Sequence, residues 1–221
     1  MLEIDTIHDN EAAGATEAPV VSTTKLTGIA VCGSNPETKK GAPCQDPAWL
    51  IYACSPDNSP HGLNPGACSP LPRVDCWFEI HNPVFDRTRP YAYLDWLKNI
   101  PQVYMRDEIA LAMTIKGQKL FPTGIPYPEK AMKDRFGPFT FTSSIAFMMA
   151  KAIVDIEVLR EAGKMVDTPQ LGLFGILQRS KIEYEAQRQG TQNMIFEATR
   201  AGIKVLASAK SGLFEPPPET F

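Results

Sequence analysis

The chain lacks most of the short signatures from which a chemistry can be read directly. It has no G-x-G-x-x-G, P-loop, D-x-D pair, G-x-S-x-G elbow or H-E-x-x-H helix. A dinucleotide fingerprint, an NTPase, metal-dependent transfer, serine hydrolysis and zinc hydrolysis therefore have no motif here. Basic clusters are also missing: Lys and Arg are scattered and the formal net charge is −3. A nucleic-acid surface would show a basic stripe, so nucleic acid is not the expected partner. The longest apolar run, near Ile145–Val158, is broken by Lys151, Asp155 and Glu157, too soon for a membrane span. No membrane partner is expected. The first residues lack a basic region followed by an apolar one, so no secretory signal is read and the cytoplasm is the expected compartment. The 5 cysteines have no C-x-x-C spacing, which argues against a disulfide framework and a zinc ribbon. Cys32, Cys54 and Cys76 lie in or at the ends of expected strands and read as small buried hydrophobes.

What is present is organised around Gly28–Ile29–Ala30–Val31–Cys32–Gly33–Ser34–Asn35–Pro36. An apolar run without polar alternation is a strand buried on both faces, as in parallel sheets. Gly33 then allows close backbone approach at the strand end. Ala48–Ala53 is a second such run, ending in Cys54–Ser55–Pro56–Asp57–Asn58, and Arg73–His81 is a third strand with Glu79 and His81 on one side. The stretch Ser55–Pro72 is dense in Pro, Gly, Asn and Ser, a long loop of the kind that carries function.

Further along, Tyr91–Lys98 reads as a helix with Tyr93, Leu94 and Leu97 on one face, and Gln102–Met105 as a strand ending at Arg106. Glu108–Lys119 reads as a short helix. Phe121–Pro128, with three prolines, reads as irregular. Glu129–Arg135 is a charged helix. The longest helix starts at Phe141–Thr142–Ser143–Ser144, with Thr142 or Ser143 as N-cap, and stops at Gly163. Its apolar residues cover more than a narrow stripe, so it lies against the sheet. Leu171–Gly175 is a buried strand, followed by a helix over Ile182–Ala201 and a closing strand over Ile203–Ala207.

The alternation of strands and helices predicts an α/β, Rossmann-like three-layer fold with a mainly parallel sheet. Residues 1–24 read as a flexible N-terminal arm, 25–210 as the Rossmann-like domain and 211–221 as a proline-rich tail. The carboxyl edge of the sheet is where such folds bind ligands. That edge is expected to gather Ser34, Asn35, Ser55, Asp57, Asn58, His81, Asn82, Arg106, Gln178 and Arg179 with the first turn at Thr142–Ser144. Hydroxyls, amides and arginines around a helix N-terminus suit a phosphate or carboxylate. A nucleotide or nucleotide sugar is the expected ligand, and no cofactor can be named.

Each candidate has an alternative. His81 is a general acid or base, or a histidine bonded to loop backbone. Glu79 is a base or ribose ligand, or the ion-pair partner of Arg73. Thr142–Ser144 cap a helix on any reading, and Arg106 and Arg179 either clamp an anion or sit on the surface. His8 and His61 fall in loops.

Several segments taken together carry a resemblance: Val31–Pro36, Asp46–Trp49, Tyr52–Ser55, Leu71–His81, Gly124–Pro128 and Phe141–Ser144, with Tyr184, Gln187 and Arg188. Over roughly Leu26–Pro217 the chain resembles uncharacterised proteins of tailed bacteriophages. More remotely, its G-x-x-P turn and Thr-Ser helix start are similar to sialyltransferase-like glycosyltransferases. The resemblance implies a phage-encoded protein in the host cytoplasm or the virion, with nucleotide contacts at Gly33, Ser34, Asn35, Thr142 and Ser143. Catalysis would be group transfer, with His81 or Glu79 as acid or base. The alternatives are a protein that sequesters a nucleotide unreacted, and a virion or assembly component meeting other virion proteins through its N-terminal arm. The oligomeric state is not legible.

Overall fold

The computed structural model describes residues 25–55, 71–81, 91–178 and 182–214. The first apolar run forms β1 (Leu26–Cys32), and Pro36–Lys39 makes the short helix α1. The second and third runs form β2 (Trp49–Cys54) and β3 (Cys76–Glu79). Then come α2 (Tyr91–Leu97), β4 (Val103–Met105), α3 (Asp107–Ala110), β5 (Gly124–Pro126) and α4 (Glu129–Phe136). The chain closes with α5 (Ser144–Glu161), β6 (Met165–Phe174), α6 (Ile182–Arg200) and β7 (Lys204–Ala207). Among the described residues these strands build one 7-stranded sheet in the order β5-β4-β3-β2-β1-β6-β7, every neighbouring pair parallel. The fold is the α/β, Rossmann-like one that the strand–helix alternation predicts.

Side chains alternate between two cores, one on each side of the sheet. Ile29 and Val31 face the layer that contains Met148, Met149, Ile153 and Ile156 of α5 and Met194 and Ala198 of α6. Ala30, Cys32, Ile51 and Trp77 face the opposite layer, filled by Tyr93, Trp96 and Leu97 of α2 and Ile109 of α3. Both faces of the central strands are covered, which is why they carry no polar alternation. Ile153 is fully buried, and trimming such a residue to alanine costs about 2–5 kcal/mol. Cys32, Cys44, Cys54 and Cys76 are buried.

Three segments differ from the sequence reading. Of the helix expected over Glu108–Lys119 only the stretch to Ala110, within α3, is helical; the chain then folds back through an antiparallel bridge between Met113 and Lys119. The proline-rich stretch contains a strand, β5, paired only with β4 at the sheet edge. An edge strand tolerates Pro126 because one side of it needs no ladder donor. The strand expected from Leu171 begins instead at Met165 and runs past Pro169, with a register shift against β1 between Leu26 and Gly28. The irregularity absorbs the proline. At the far end Ser211 and Leu213 are buried, the first accepting from the Gln178 amide at 2.9 Å and the second from Gln192 Nε2 at 2.8 Å. The N-terminal arm, Asp57, Asn58, Asn82, Arg179 and the triple proline lie outside the described residues.

Candidate functional site at the switch point of the sheet

β1 pairs with β2 on one side and β6 on the other, and the strand order reverses there. Connections leave the two strands in opposite directions, which opens a crevice beyond their carboxyl ends. The floor of that crevice is a pair of glycines. The Gly33 amide donates to Phe174 O at 2.8 Å and the Asn35 amide to Gly175 O at 2.7 Å. A Cβ on Gly33 would lie 2.6 Å from Gly175 O, and one on Gly175, whose φ is 66°, would lie 2.0 Å from Gly33 O. Only glycine permits this approach. Gly33 was legible as a site residue from its place after an apolar run; Gly175 was legible only as the end of a strand.

Above the floor lies a hollow of about 600 Å³, lined by Gly33, Ser34, Asn35, Ser55, His81, Thr142 and Ser143 together with Cys54, Ser144, Gln178 and Gln187, among others. Residues from the ends of β1, β2 and β3 and from the start of α5 thus meet in one place. Its size is typical of a small-molecule site. None of the described residues lining it is Asp, Glu, Lys or Arg.

The individual residues divide by role. Ser143 caps α5, its Oγ accepting from the Ala146 amide at 3.3 Å. The helical ladder begins at Phe147, whose amide reaches Ser143 O, so the Ser144 and Ile145 amides precede it and form the positive end of an 18-residue helix. Thr142 Oγ1 donates to Gln187 O at 3.4 Å, tying the approach to α5 onto α6. Asn35 spends its Oδ1 on capping α1, accepting from the Thr38 amide and hydroxyl, each at 3.1 Å. Ser55 has φ 74°, alone among the described non-glycine residues in the left-handed region. Such a conformation costs of order 1–3 kcal/mol and tends to mark a functional site. Gln178 is 3% exposed and its Oε1 is buried without a hydrogen-bond partner, the kind of group that a bound ligand completes.

His81 stands at the rim and Glu79 behind it, on one side of β3 as the alternation predicts. The His81 Nδ1 lies 3.7 Å from Glu79 Oε1; the imidazole is exposed and the carboxylate buried. Glu79 does not line the hollow. The alternative pairing of Arg73 with Glu79 does not form: Arg73 Nε sits 3.2 Å from Asp75 Oδ2, and its guanidinium also donates to Asp46 O and Trp49 O. Arg106 is not brought to this site either. It opens α3 and lines a separate hollow with Tyr127, Glu129 and Asp134, because β4 lies three strands from the crevice. No group of three or more His, Cys, Asp or Glu among the described residues could hold a metal ion.

No family model and no curated protein matches the chain. The chain is similar to a sialyltransferase of known structure. That protein is CstII from Campylobacter jejuni, solved with the substrate analogue CMP-3FNeuAc; the identity is 14%, the match covers 87% of each chain, and the TM-score is 0.44. A likeness of this degree is too remote to transfer any chemistry. The resemblance to phage proteins finds no support in these comparisons. No helix among the described residues is long and apolar enough to cross a membrane.

Proposed function

We propose that the switch-point hollow binds a nucleotide or nucleotide sugar and that the protein is a group transferase of the glycosyltransferase kind. The observation that carries this reading is the start of α5 in the wall of the hollow, ringed by the Ser34, Ser55, Thr142, Ser143 and Ser144 hydroxyls. Amides that precede a helical ladder hold phosphate without any fixed cation, aided by the helix dipole. The hydroxyls supply further donors, and the apolar stretch Ile145, Ile176 and Leu177 offers a surface for a base or sugar ring. His81 is then the acid or base of the transfer.

The test is a thermal-shift screen of nucleoside mono- and diphosphates and their sugar conjugates against the whole chain. A ligand present at 100 times its Kd stabilises a one-site protein by about 2.7 kcal/mol, a shift readily measured. Recovery of the bound compound shows whether it has been cleaved. A hit released unchanged, with or without an added sugar acceptor, would replace transfer by sequestration. The absence of stabilisation by every nucleotide would remove the reading altogether.

A further inference from the structure

We infer that Trp77, Tyr93 and Glu79 form a buried relay that orients His81 as the proton acceptor of the hollow; this rests on the transferase reading given above. The relay can be followed atom by atom. Trp77 Nε1 is a donor only, and it lies 3.0 Å from the Tyr93 hydroxyl. The tyrosine oxygen therefore accepts from the indole and gives its own proton to Glu79 Oε2. That leaves Glu79 Oε1 for His81 Nδ1, at 3.7 Å. Trp77 and Tyr93 are fully buried and Glu79 is 2% exposed. A carboxylate in such surroundings is costly unless paired and hydrogen-bonded. Tyr93 supplies the hydrogen bond on one side, and on the other the imidazole stands 3.7 Å away, placed to pair with the carboxylate when it takes up a proton.

The consequence for His81 is a defined tautomer. Glu79 holds the proton on Nδ1, so Nε2 carries the lone pair. In the transfer, Nε2 takes the proton from the hydroxyl of the acceptor sugar. That oxygen bonds to the anomeric carbon of the donor as its bond to the phosphate oxygen breaks, and the nucleotide leaves with the electron pair. Glu79 then faces the imidazolium and stabilises it. A spacing slightly beyond hydrogen-bond length is ordinary for catalytic pairs before substrate arrives. His81 is the catalytic residue in this scheme; Glu79 and Tyr93 position it. Among the described residues, the Cys54 thiol is the only other titratable side chain lining the hollow.

The experiment is a long-range proton–nitrogen NMR titration of the full chain. Its 3 histidines make the spectrum assignable with His81→Asn alone. The expected result is a neutral imidazole protonated at Nδ1, with a pKa above the free value of about 6.5 that drops by about 1 or more in Glu79→Gln. Glu79→Asp, which keeps the charge but retracts it, should fall between the two. If neither variant folds, the wild-type spectrum decides by itself: a neutral His81 protonated at Nε2, or a pKa at or below the free value, overturns the relay. So does an unchanged titration in Glu79→Gln. With a nucleotide sugar found by the screen, Glu79→Gln should lower turnover about 100-fold or more while leaving the donor's Kd in place. A failed screen with a coupled His81 would sink the transferase reading and leave the relay standing; the converse result would sink only the relay.

Discussion

The paired glycines on the crevice floor make a quantitative prediction. In Gly175→Ala the new Cβ would meet Gly33 O at 2.0 Å and the Gly33 carbonyl carbon at 2.6 Å. Both are backbone atoms, so no side-chain rotation relieves the overlap. The left-handed φ alone costs roughly 1–2 kcal/mol. Spreading the ends of β1 and β6 also breaks the 2.7 Å bond from the Asn35 amide, about 1 kcal/mol more, and disturbs packing by about 1–3 kcal/mol. The sum is about 3–6 kcal/mol, a large share of the roughly 5–15 kcal/mol that holds a domain together.

Gly163→Ala is the internal control. Gly163 has a similar φ, 68°, with nothing within 4 Å of the place a Cβ would take, so it reports the backbone cost without the clash. Urea unfolding of the two variants should therefore differ by about 2–4 kcal/mol, with Gly175→Ala the weaker. If the two lose the same amount, the ends of β1 and β6 are not in contact and the floor described above is wrong.

Ser55→Gly should raise stability by about 1 kcal/mol, because glycine takes a left-handed φ without strain, while weakening nucleotide binding; a gain in both would remove Ser55 from the site. Ser143→Ala should cost about 1 kcal/mol of stability through the lost cap, and any nucleotide that stabilises the wild type should stabilise it less in the same thermal-shift assay. Burial pushes the Tyr52 and Tyr127 hydroxyls well up from their ordinary range, the former helped by its 2.5 Å bond to Asp155, and burial pulls Lys151 down but its interactions with Asp155 and Tyr104 together hold it up. The folded state thus retains protons that the unfolded chain sheds. This stabilisation is complete below the unfolded-state values near 10 and is lost as pH rises beyond them. Denaturation at pH 8 and 10.5 should show stability falling, and Tyr127→Phe should fall less steeply over that interval. Burial likewise raises the Cys32 and Cys76 thiols, so both should resist DTNB until the chain unfolds; prompt labelling of either would contradict its place in the core.

The carboxyl-edge argument located the hollow because it depends only on strand direction. Ser34, Ser55, His81 and Ser143 each follow a recognisable apolar run or precede a recognisable helix, and parallel strands must present all such ends on one edge. The same argument could not tell which part of the edge. Arg106 satisfies it as well as Ser34 does, yet lies beyond β2 and β3 from the crevice, and strand order is invisible in a linear chain. β5 was missed for a local reason, since three prolines argue against a strand unless its position at the sheet edge is already known.

Hydrophobic periodicity and punctuation determined most of the elements, the mainly parallel pairing and a cap at Thr142 or Ser143, because these are properties of residues near one another in the chain. Where the sheet reverses, how closely Gly33 approaches Gly175, and that Glu79 turns inward to Tyr93 while Arg73 pairs with Asp75, were decided by tertiary structure alone. Each of these joins groups distant along the chain, and their meeting depends on how the layers pack.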